Sequence, residues 1–386
     1  MLMRVVKACF LRWIISFVFC AAWCAAYAQD STAMKWWNPA VESFNAIEGR
    51  AWPKEVGSPY ARLPLRAKET VSPEVWKLAQ QSAGIMVRFK TNAEQITIRY
   101  QVNNPFALSH MPATGVSGID MYGVDTGGNY LWCAGKYSFK DTIEYKFINL
   151  KPVKTNTKEG IEYRVYLPLY NSVKWLQIGT PQSNSFTPLP ARTAKPIVIY
   201  GTSITQGACA SRPGMAFTAI VSRRLNVPLI NLGFSGTGRL DKEVLDLVNE
   251  IDASVYILDC LPNLVGGKVS LTQPQIYDRI INAVKQIRAK HPKTPIVLTD
   301  HFMYTDAAIN PVKREQGTLI NLTNHKAFAS LKARGVNNIS LLPVQALQQD
   351  MDTMVDGTHP TDLGMMRYAI AYEQLLKKIL PVLTEK

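Results

Sequence analysis

Short polar blocks in the second half of the sequence hold side chains that together could cleave an acyl bond. Ser203 follows an apolar run, and a serine hydroxyl becomes a nucleophile when a neighbouring base removes its proton. Asp356 lies three residues before His359, a spacing that in a tight turn lets the carboxylate accept the Nδ1 proton and leaves the other ring nitrogen as a base. A serine turn and an acidic residue at a helix start are each common, so these blocks carry weight only together.

Two further blocks offer hydrogen-bond donors to an oxyanion. Gly236 lies in a glycine-rich loop, where the missing side chain lets a backbone N–H approach a ligand closely. Asn263 follows another apolar run, and its side-chain amide can donate to developing negative charge. An ordinary loop and a Pro-Asn turn are the alternatives for these two blocks.

Other serine and phosphate motifs do not fit the block around Ser203. Thr205 stands where the second glycine of G-x-S-x-G would be, which argues against a nucleophile elbow. A P-loop would need Gly-Lys followed by Ser or Thr, and this block has no lysine.

The elements around these blocks alternate between strands and helices. Apolar runs predict strands at 196–203, 227–234, 253–261, 294–302 and 337–343, and amphipathic patterns predict helices at 215–225, 242–251, 276–290, 314–334 and 363–380. Buried strands that alternate with helices indicate a parallel sheet covered on both faces. Ligands bind such sheets at the carboxyl ends of the strands, and the polar blocks lie at these ends.

The first half of the chain has a different pattern. Short runs rich in Val, Ile and Tyr recur at 85–89, 96–102, 143–150, 163–169 and 173–178, which predicts a β-sandwich. The polar, proline-rich stretch 181–196 is typical of an interdomain linker. We therefore expect a β-domain over residues 29–190 and an α/β domain over residues 191–386.

Residues 1–28 resemble an export signal. Basic residues precede an apolar run at 13–26, and Ala26-Tyr27-Ala28 offers a signal-peptidase site. A lipoprotein site at Cys20 or Cys24 is the alternative, but a large aromatic residue precedes each of these cysteines. No later stretch is long and apolar enough to span a bilayer. We expect an exported protein without stable membrane insertion.

Composition excludes several classes of protein. The 386 residues are 47% apolar and 19% charged, which is typical of globular domains and not of disordered or collagen-like chains. The net charge of +14 arises from scattered basic residues. Because no basic run or nucleic-acid signature accompanies this charge, it indicates a solvated surface, and no nucleic-acid partner is expected.

The cysteines allow two interpretations. Cys133, Cys209 and Cys260 follow the signal segment, and an odd number in an oxidising compartment allows one disulfide and one free thiol. Cys209 and Cys260 belong to segments that lead to the same sheet edge, so a disulfide between them is plausible; two reduced, buried thiols are the alternative. No C-x-x-C or histidine-rich spacing is present, so neither a metal nor another cofactor is expected.

The four polar blocks resemble the SGNH hydrolases, also called the GDSL esterase/lipase superfamily. Ser203, Gly236, Asn263 and His359 match the four letters in order, and Asp356 completes the Asp-x-x-His pattern. One position departs from the family. Thr202 replaces the aspartate of Gly-Asp-Ser, which weakens any transfer of lipase specificity.

The first half also resembles a known domain. Residues 118–122, Gly-Ile-Asp-Met-Tyr, are similar to the Gly-x-Asp-Leu-Tyr motif of a β-rich domain that precedes such esterases in Bacteroidetes-type bacteria. Residues 62–64, Arg-Leu-Pro, and 82–84, Ser-Ala-Gly, are similar to the same subfamily. The resemblance thus extends over nearly the whole chain after the signal segment.

The resemblance implies a fold and an activity. The fold would be a flavodoxin-like, three-layer α/β/α hydrolase domain preceded by a β-sandwich. The activity would be that of an exported serine esterase for short acyl esters, such as O-acetyl groups on carbohydrate. Ser203 would be the nucleophile, His359 the base and Asp356 its orienting carboxylate. The oxyanion would be bound by the backbone N–H groups of Ser203 and Gly236 and by the amide of Asn263.

Other residues and functions remain open from the sequence. His301, at the end of the fourth strand of the second half, is a candidate substrate contact, with a buried structural histidine as the alternative. Asp120 and Tyr122 are candidate substrate contacts from the first domain. Thioesterase or lysophospholipase activity is the enzymatic alternative, and a non-catalytic carbohydrate-binding protein with aromatic residues on the β-domain is the other. The expected partner is an acylated small molecule or glycan.

Overall fold

The computed structural model describes residues 33–151, 159–266 and 269–380. The export signal predicted at residues 1–28 lies outside the described residues. Within them, no helix combines the length and the apolar character that crossing a bilayer needs.

Among the described residues, the first half of the chain forms two antiparallel sheets. Its strands are β1 (Met34–Trp37), β2 (Ile47–Glu48), β3 (Met86–Thr91), β4 (Ile96–Val102), β5 (Asp120–Val124), β6 (Tyr130–Cys133), β7 (Lys136–Ser138), β8 (Ile143–Phe147), β9 (Ile161–Tyr166), β10 (Val173–Pro181) and β11 (Phe186–Pro188). One sheet has the order β1-β10-β4-β8-β7, and the other has β11-β3-β9-β5-β6 with β2 beside β3. The predicted β-rich domain is confirmed.

The two sheets share an apolar core because their strands alternate. On β3, Val87 and Phe89 are buried in the core, whereas Arg88 between them forms an ion pair with Glu162 of β9 at 2.8 Å. This period of two places one face of each strand inside the sandwich and the other outside.

The predicted linker is partly wrong. Phe186–Pro188 of the stretch 181–196 forms the edge strand β11, which pairs with β3 through Phe186 opposite Thr91. An edge strand needs hydrogen bonds along one side only, so it tolerates the proline that made this stretch resemble a linker.

The second half forms a five-stranded parallel sheet within the described residues. Its strands are β12 (Ile197–Gly201), β13 (Leu229–Gly233), β14 (Val255–Asp259), β15 (Ile296–Thr299) and β16 (Ile339–Leu342), in the order β13-β12-β14-β15-β16. This order is that of flavodoxin-like folds. The predicted α/β class and the five strands are confirmed.

Helices complete both halves of the chain. They are α1 (Pro73–Ala79), α2 (Ala113–Val116), α3 (Ser203–Gln206), α4 (Phe217–Leu225), α5 (Lys242–Val248), α6 (Gln273–Lys290), α7 (Pro311–Ala333), α8 (Val344–Leu347) and α9 (Asp362–Ile379). Single 3₁₀ turns lie at Pro39–Val41, Leu65–Glu69, Pro213–Met215, Leu261–Leu264 and Met351–Thr353.

The strand β12, between β13 and β14, separates two apolar cores. Val198 and Tyr200 pack in the core that contains α5 and α6, and Ile197 and Ile199 pack in the core that contains α4 and α9. Side chains of residues 52–79 from the first half join the former core. The first half therefore packs against the parallel sheet through buried side chains, which brings its loops close to the carboxyl ends of the strands.

Candidate active site

The predicted nucleophile lies where β12 passes into α3. Ser203 is the first residue of α3, and Thr202 accepts a hydrogen bond from the N–H of Ile204 at 3.4 Å, which caps the helix. The N–H of Ser203 belongs to the first turn, whose donors have no acceptor inside the helix. The helix ends after one turn at Gly207, whose φ of 106° suits glycine. This short element presents the hydroxyl and N–H of Ser203 at the sheet edge.

The loop before α9 brings the imidazole to this hydroxyl. His359 Nε2 lies 2.8 Å from Ser203 Oγ, and His359 Nδ1 lies 2.7 Å from Asp356 Oδ2. The loop is closed by a hydrogen bond from the N–H of Val355 to the carbonyl of His359 at 2.8 Å. Gly357 takes a φ of 82° at the turn. Ser203, His359 and Asp356 thus form one series of hydrogen bonds, although Ser203 and His359 are 156 positions apart in the sequence.

The carboxylate is held in its ionised form. Burial disfavours the charge on Asp356, but hydrogen bonds from the His359 ring and from the backbone N–H groups of His359 and Thr358 hold the pKa of this carboxyl below its usual range. An ionised carboxylate accepts the Nδ1 proton, so the lone pair of Nε2 faces the serine. The arrangement can therefore remove a proton from Ser203.

The two predicted oxyanion donors lie on adjoining loops. Gly236, in the loop after β13, has a φ of 68°, and a side chain at this position would meet no heavy atom within 4 Å. The loop therefore borders open space. The side-chain amide of Asn263 donates to the carbonyl of Gly238 at 3.2 Å and to that of Phe234 at 3.4 Å. Asn263 is thus placed against the loop that carries Gly236.

A buried carboxyl group that the sequence did not single out lies beneath this site. Asp259, the last residue of β14, accepts hydrogen bonds from Tyr372 at 3.0 Å and from Thr205 at 3.4 Å. Burial raises the pKa of Asp259 to about 6, against the effect of these hydroxyl donors. It joins the end of β14 to α3 and α9.

Comparisons with known proteins identify the family. The model of the GDSL-like lipase/acylhydrolase family matches residues 194–377, and a GxDLY model, described as the N-terminus of Esterase_SGNH_hydro-type, matches residues 34–186. A solved structure from Bacteroides ovatus, described as a GDSL-like lipase, has 31% sequence identity and a TM-score of 0.80, and the alignment covers 90% of this chain and 98% of that chain. This chain belongs to the GDSL-like lipase/acylhydrolase family. It is an esterase-type hydrolase.

More distant solved structures share the fold of this GDSL-family esterase. The salicylyl-acyltransferase SsfX3 from a tetracycline biosynthetic pathway is 19% identical with a TM-score of 0.68, over 91% of this chain and 99% of that chain. The acetyl xylan esterase Est2A from Butyrivibrio proteoclasticus is 10% identical with a TM-score of 0.53, over 90% and 99%. No curated protein sequence matches the chain significantly.

The predicted role of His301 in the esterase is corrected by its burial. The side chain is 1% exposed, and its ring centroid lies 5.0 Å from those of Phe302 and Tyr304. Burial, with the charge on His359 as a smaller cause, lowers the pKa of His301 to about 3. This burial favours the alternative interpretation of His301 as a buried structural histidine.

Asp120 and Tyr122, the predicted substrate contacts of the first domain, are engaged in contacts within the protein. Asp120 is buried and forms an ion pair with Arg212, and it accepts a hydrogen bond from the N–H of Gly214 at 3.0 Å. The Tyr122 hydroxyl lies 2.6 Å from the same guanidinium. These residues of the first domain therefore bind the loop that follows α3, and they act as a structural connection between the domains.

A histidine from the first domain lies at the site instead. The ring of His110 faces the ring of His359, with centroids 5.8 Å apart, and the Cys209 thiol donates to the His110 carbonyl at 3.4 Å. One potential metal-ligand atom from each of His110, Cys209 and His359, a ring nitrogen or the sulfur, lies within 4.8 Å of the other two. The sequence offered no signal for this cluster because its members lie on three separate segments, and it brings together ligand types that suit a zinc ion.

Side chains of the first domain also form hydrogen bonds with the backbone and side chains of α3, the helix that carries Ser203. The Tyr170 hydroxyl donates to the Ser203 carbonyl at 3.2 Å, and the side chain of Gln206 donates to that of Gln81 at 2.5 Å. Arg62, which the sequence marked through a motif resemblance only, is buried and donates to the carbonyl of Gly233 at 2.7 Å. Burial lowers the pKa of Arg62 to about 9.

The predicted disulfide between Cys209 and Cys260 is wrong. Both are free, as is Cys133. Cys260 lies in the core on one side of the parallel sheet and Cys209 in the core on the other, so the two sulfurs face different partners although their segments approach the same edge. Cys260 donates to the carbonyl of Tyr200 at 3.5 Å.

Proposed function

We propose that this GDSL-family esterase is exported and removes short acyl groups, in particular O-acetyl groups, from carbohydrate through a serine acyl-enzyme. The observation that carries the proposal is the chain from Ser203 Oγ through His359 to Asp356, with distances of 2.8 and 2.7 Å. Such a chain lets a serine attack a carbonyl group at neutral pH.

The first half-reaction forms the acyl-enzyme. Ser203 Oγ bonds to the carbonyl carbon of the ester while its proton moves to His359 Nε2. Ionised Asp356 stabilises the imidazolium that results. When the tetrahedral intermediate collapses, the bond to the sugar oxygen breaks and His359 returns the proton to this leaving oxygen.

The second half-reaction releases the acid. A water molecule loses a proton to His359 Nε2 and attacks the acyl carbon, and the bond to Ser203 Oγ then breaks as the serine regains the proton. Both tetrahedral intermediates carry an oxyanion, to which the N–H groups of Ser203 and Gly236 would donate. The amide of Asn263 would donate to it after releasing one of its two bonds to loop carbonyls. Removing one such donor costs about 10²–10³ in kcat in enzymes of this kind.

The substrate class is supported by three observations. Ser203 is 8% exposed, which favours a small acyl group at the nucleophile. A protein named as an acetyl xylan esterase shares the fold over most of both chains. The segment at residues 1–28 resembles an export signal, and polymeric carbohydrate lies outside the cell.

Acetate release is the experiment that tests the proposal. Wild-type protein, Ser203→Ala and Asn263→Ala are assayed with p-nitrophenyl acetate and with acetylated xylan, mannan, pectin and chitin fragments. We expect S203A to be inactive and N263A to lose about 10²–10³ in kcat with KM little changed. Turnover by S203A at the wild-type rate would overturn the assignment of the nucleophile, and an inactive wild type on all glycan esters would overturn the substrate class.

The export signal has a separate test. The full chain is expressed in a bacterial host that can export it. Mass spectrometry of the exported protein should then give an N-terminus directly after Ala28. An intact N-terminus in the cell interior would contradict export.

A further inference from the structure

A pocket on the first domain lies beside the loop that follows α3. It has a volume of about 260 Å³ and is lined by aromatic side chains from β6, β7 and β8 and by Arg212 of the second domain. Trp132 and Tyr137 on its rim are 52% and 55% exposed. Large aromatic side chains in a monomeric domain are usually more buried, so two half-exposed rings at one concave surface indicate a binding site.

The Trp132 ring is fixed in place without a ligand. Its Nε1–H donates to Asp120 Oδ1 at 2.6 Å, and the guanidinium of Arg212 lies over the ring, 4.6 Å from its centroid. Asp120 and Arg212 are themselves an ion pair. Because these contacts already order the ring, a ligand that stacks on it loses little binding free energy to side-chain ordering.

The second ring is held on β7, the next strand along the chain and an edge strand of the other sheet. The centroid of Tyr137 lies 5.2 Å from that of Tyr145 and 5.7 Å from that of Phe139. Gly135, between β6 and β7, shapes the pocket floor, since a Cβ there would lie 2.7 Å from the ring of Phe147. The segment between β6 and β7 therefore has room at residue 135 only for a residue without a side chain.

The pocket and the Ser203 site share a short stretch of chain. Ser211 and Arg212 line the pocket, and the carbonyl of Ser211 accepts a hydrogen bond from Thr114 of the first domain at 2.7 Å. Cys209, two residues earlier, has its sulfur within 4.8 Å of a ring nitrogen of His359. The Cα atoms of residues 209 and 212 can be at most about 11 Å apart, so this stretch of chain keeps the pocket lining close to the surroundings of His359.

We propose that this pocket is a glycan-binding subsite in which sugar residues stack on Trp132 and Tyr137 while an acylated residue of the same chain lies at Ser203. Sugar rings combine apolar C–H faces, which stack on aromatic rings, with hydroxyl groups, which bind the polar atoms of such a lining. The charge of Arg212 is balanced by Asp120, so the subsite favours a neutral sugar chain over an anionic one. The inference rests on the proposed function, since it concerns the carbohydrate part of the same substrate.

Kinetics with two kinds of ester test the subsite. Wild type, Trp132→Ala and Tyr137→Ala are assayed with p-nitrophenyl acetate, which has no glycan, and with acetylated xylo-oligosaccharides. We expect KM for the oligosaccharide to rise roughly tenfold in each variant, with kcat/KM for p-nitrophenyl acetate within about twofold of wild type. Trp36→Ala is the matched control, because Trp36 is an exposed tryptophan on β1, at the opposite edge of the sheet from β7. It should match wild type on both esters.

A binding measurement separates this inference from the proposed function. Calorimetry measures the Kd of deacetylated xylo-oligosaccharides for S203A, in which no turnover occurs. Adding W132A or Y137A to S203A should raise this Kd at least about fivefold. If wild type and both variants cleave the acetylated oligosaccharide with equal KM, the subsite is overturned and the esterase proposal stands. If no glycan ester is cleaved yet the oligosaccharide binds in a Trp132-dependent way, the substrate proposal fails and the subsite stands. Loss of p-nitrophenyl acetate activity in Y137A would also count against the subsite, because it would show a general structural role.

Discussion

The imidazole of His110 lies against that of His359, with ring centroids 5.8 Å apart and ring planes 29° from parallel. One ring belongs to the first domain and the other to the loop that carries the proposed base. The first domain therefore forms one side of the site, although it contributes none of the residues in the Ser203, His359 and Asp356 chain.

Replacement of His110 should alter catalysis without loss of the fold. His110→Ala removes a ring that packs on one face of His359, so the imidazole is less well oriented and more exposed to water. We expect kcat/KM for p-nitrophenyl acetate to fall about two- to tenfold, since aromatic pairs contribute roughly 0.5–1.5 kcal/mol. His110→Phe keeps the ring and should recover most of the activity. Equal activity of wild type and H110A would contradict a positioning role, and failure of H110F would show that a ring nitrogen is needed.

Zinc should inhibit the esterase through the same histidine. His110, Cys209 and His359 place ligand atoms within 4.8 Å of one another, and zinc binds imidazole nitrogen and thiolate sulfur. Both ring nitrogens of His359 are engaged by Ser203 and Asp356, so a metal ion that takes either one breaks the chain. We expect micromolar Zn²⁺ to inhibit wild type, a chelator to restore activity, and H110A to need at least about tenfold more zinc. Identical zinc sensitivity of wild type and H110A would argue that this cluster does not form.

The main site could be predicted because its positions follow from local patterns. Alternating strands and helices define a parallel sheet, the strand ends meet at one edge, and Ser203 and His359 each lie at such an end. His110 could not be predicted in this way, because its approach to His359 depends on how two domains pack. His301 was predicted at the right strand end, but its side chain is buried, with the rings of Phe302 and Tyr304 against it. The periodicity of apolar residues predicts which segments end at the carboxyl edge of the sheet. Whether a side chain there is buried depends on tertiary contacts that the periodicity does not contain.

The cysteines illustrate the same limit. Cys209 and Cys260 lie in segments that converge on one edge, which made a disulfide plausible. A disulfide needs the Cβ atoms about 3.5–4.5 Å apart with suitable directions, and these two side chains enter different apolar cores. Which face of the sheet a residue enters after the strand has ended cannot be read from strand alternation.

Arg62 should be essential for stability. Its guanidinium is buried and donates to carbonyl groups of both domains, among them those of Leu78 at 2.7 Å and Gly233 at 2.7 Å. Arg62→Met removes these buried hydrogen bonds between the domains and should lower the free energy of unfolding by about 3–5 kcal/mol. Denaturant unfolding measures this loss.

The control for Arg62 lies four residues along the chain. Arg66 is 48% exposed and pairs with Glu55 and Glu250 at the surface, so Arg66→Met should cost less than about 1 kcal/mol. Arg62→Lys keeps the charge but cannot reproduce the planar array of donors. Its free energy of unfolding should therefore lie between those of wild type and R62M. Equal stability of R62M and R66M would show that the carbonyl contacts of Arg62 contribute little.

Asp259 should make stability depend on pH in a defined direction. Its pKa is about 6 in the folded state and near 3.9 in an unfolded chain, so the folded state binds the proton more tightly. The stabilisation is present below about pH 4 and is lost as the pH rises through 6, a change of about 3 kcal/mol. Asp259→Asn cannot ionise, so relative to wild type its free energy of unfolding should rise by about 2 kcal/mol between pH 4.5 and 8, as measured by urea unfolding. The control is Asp252→Asn, which removes an exposed ion pair with Lys195 and should show little such change. If the unfolding free energies of wild type and D259N vary with pH in the same way, the Asp259 carboxyl is not buried as described.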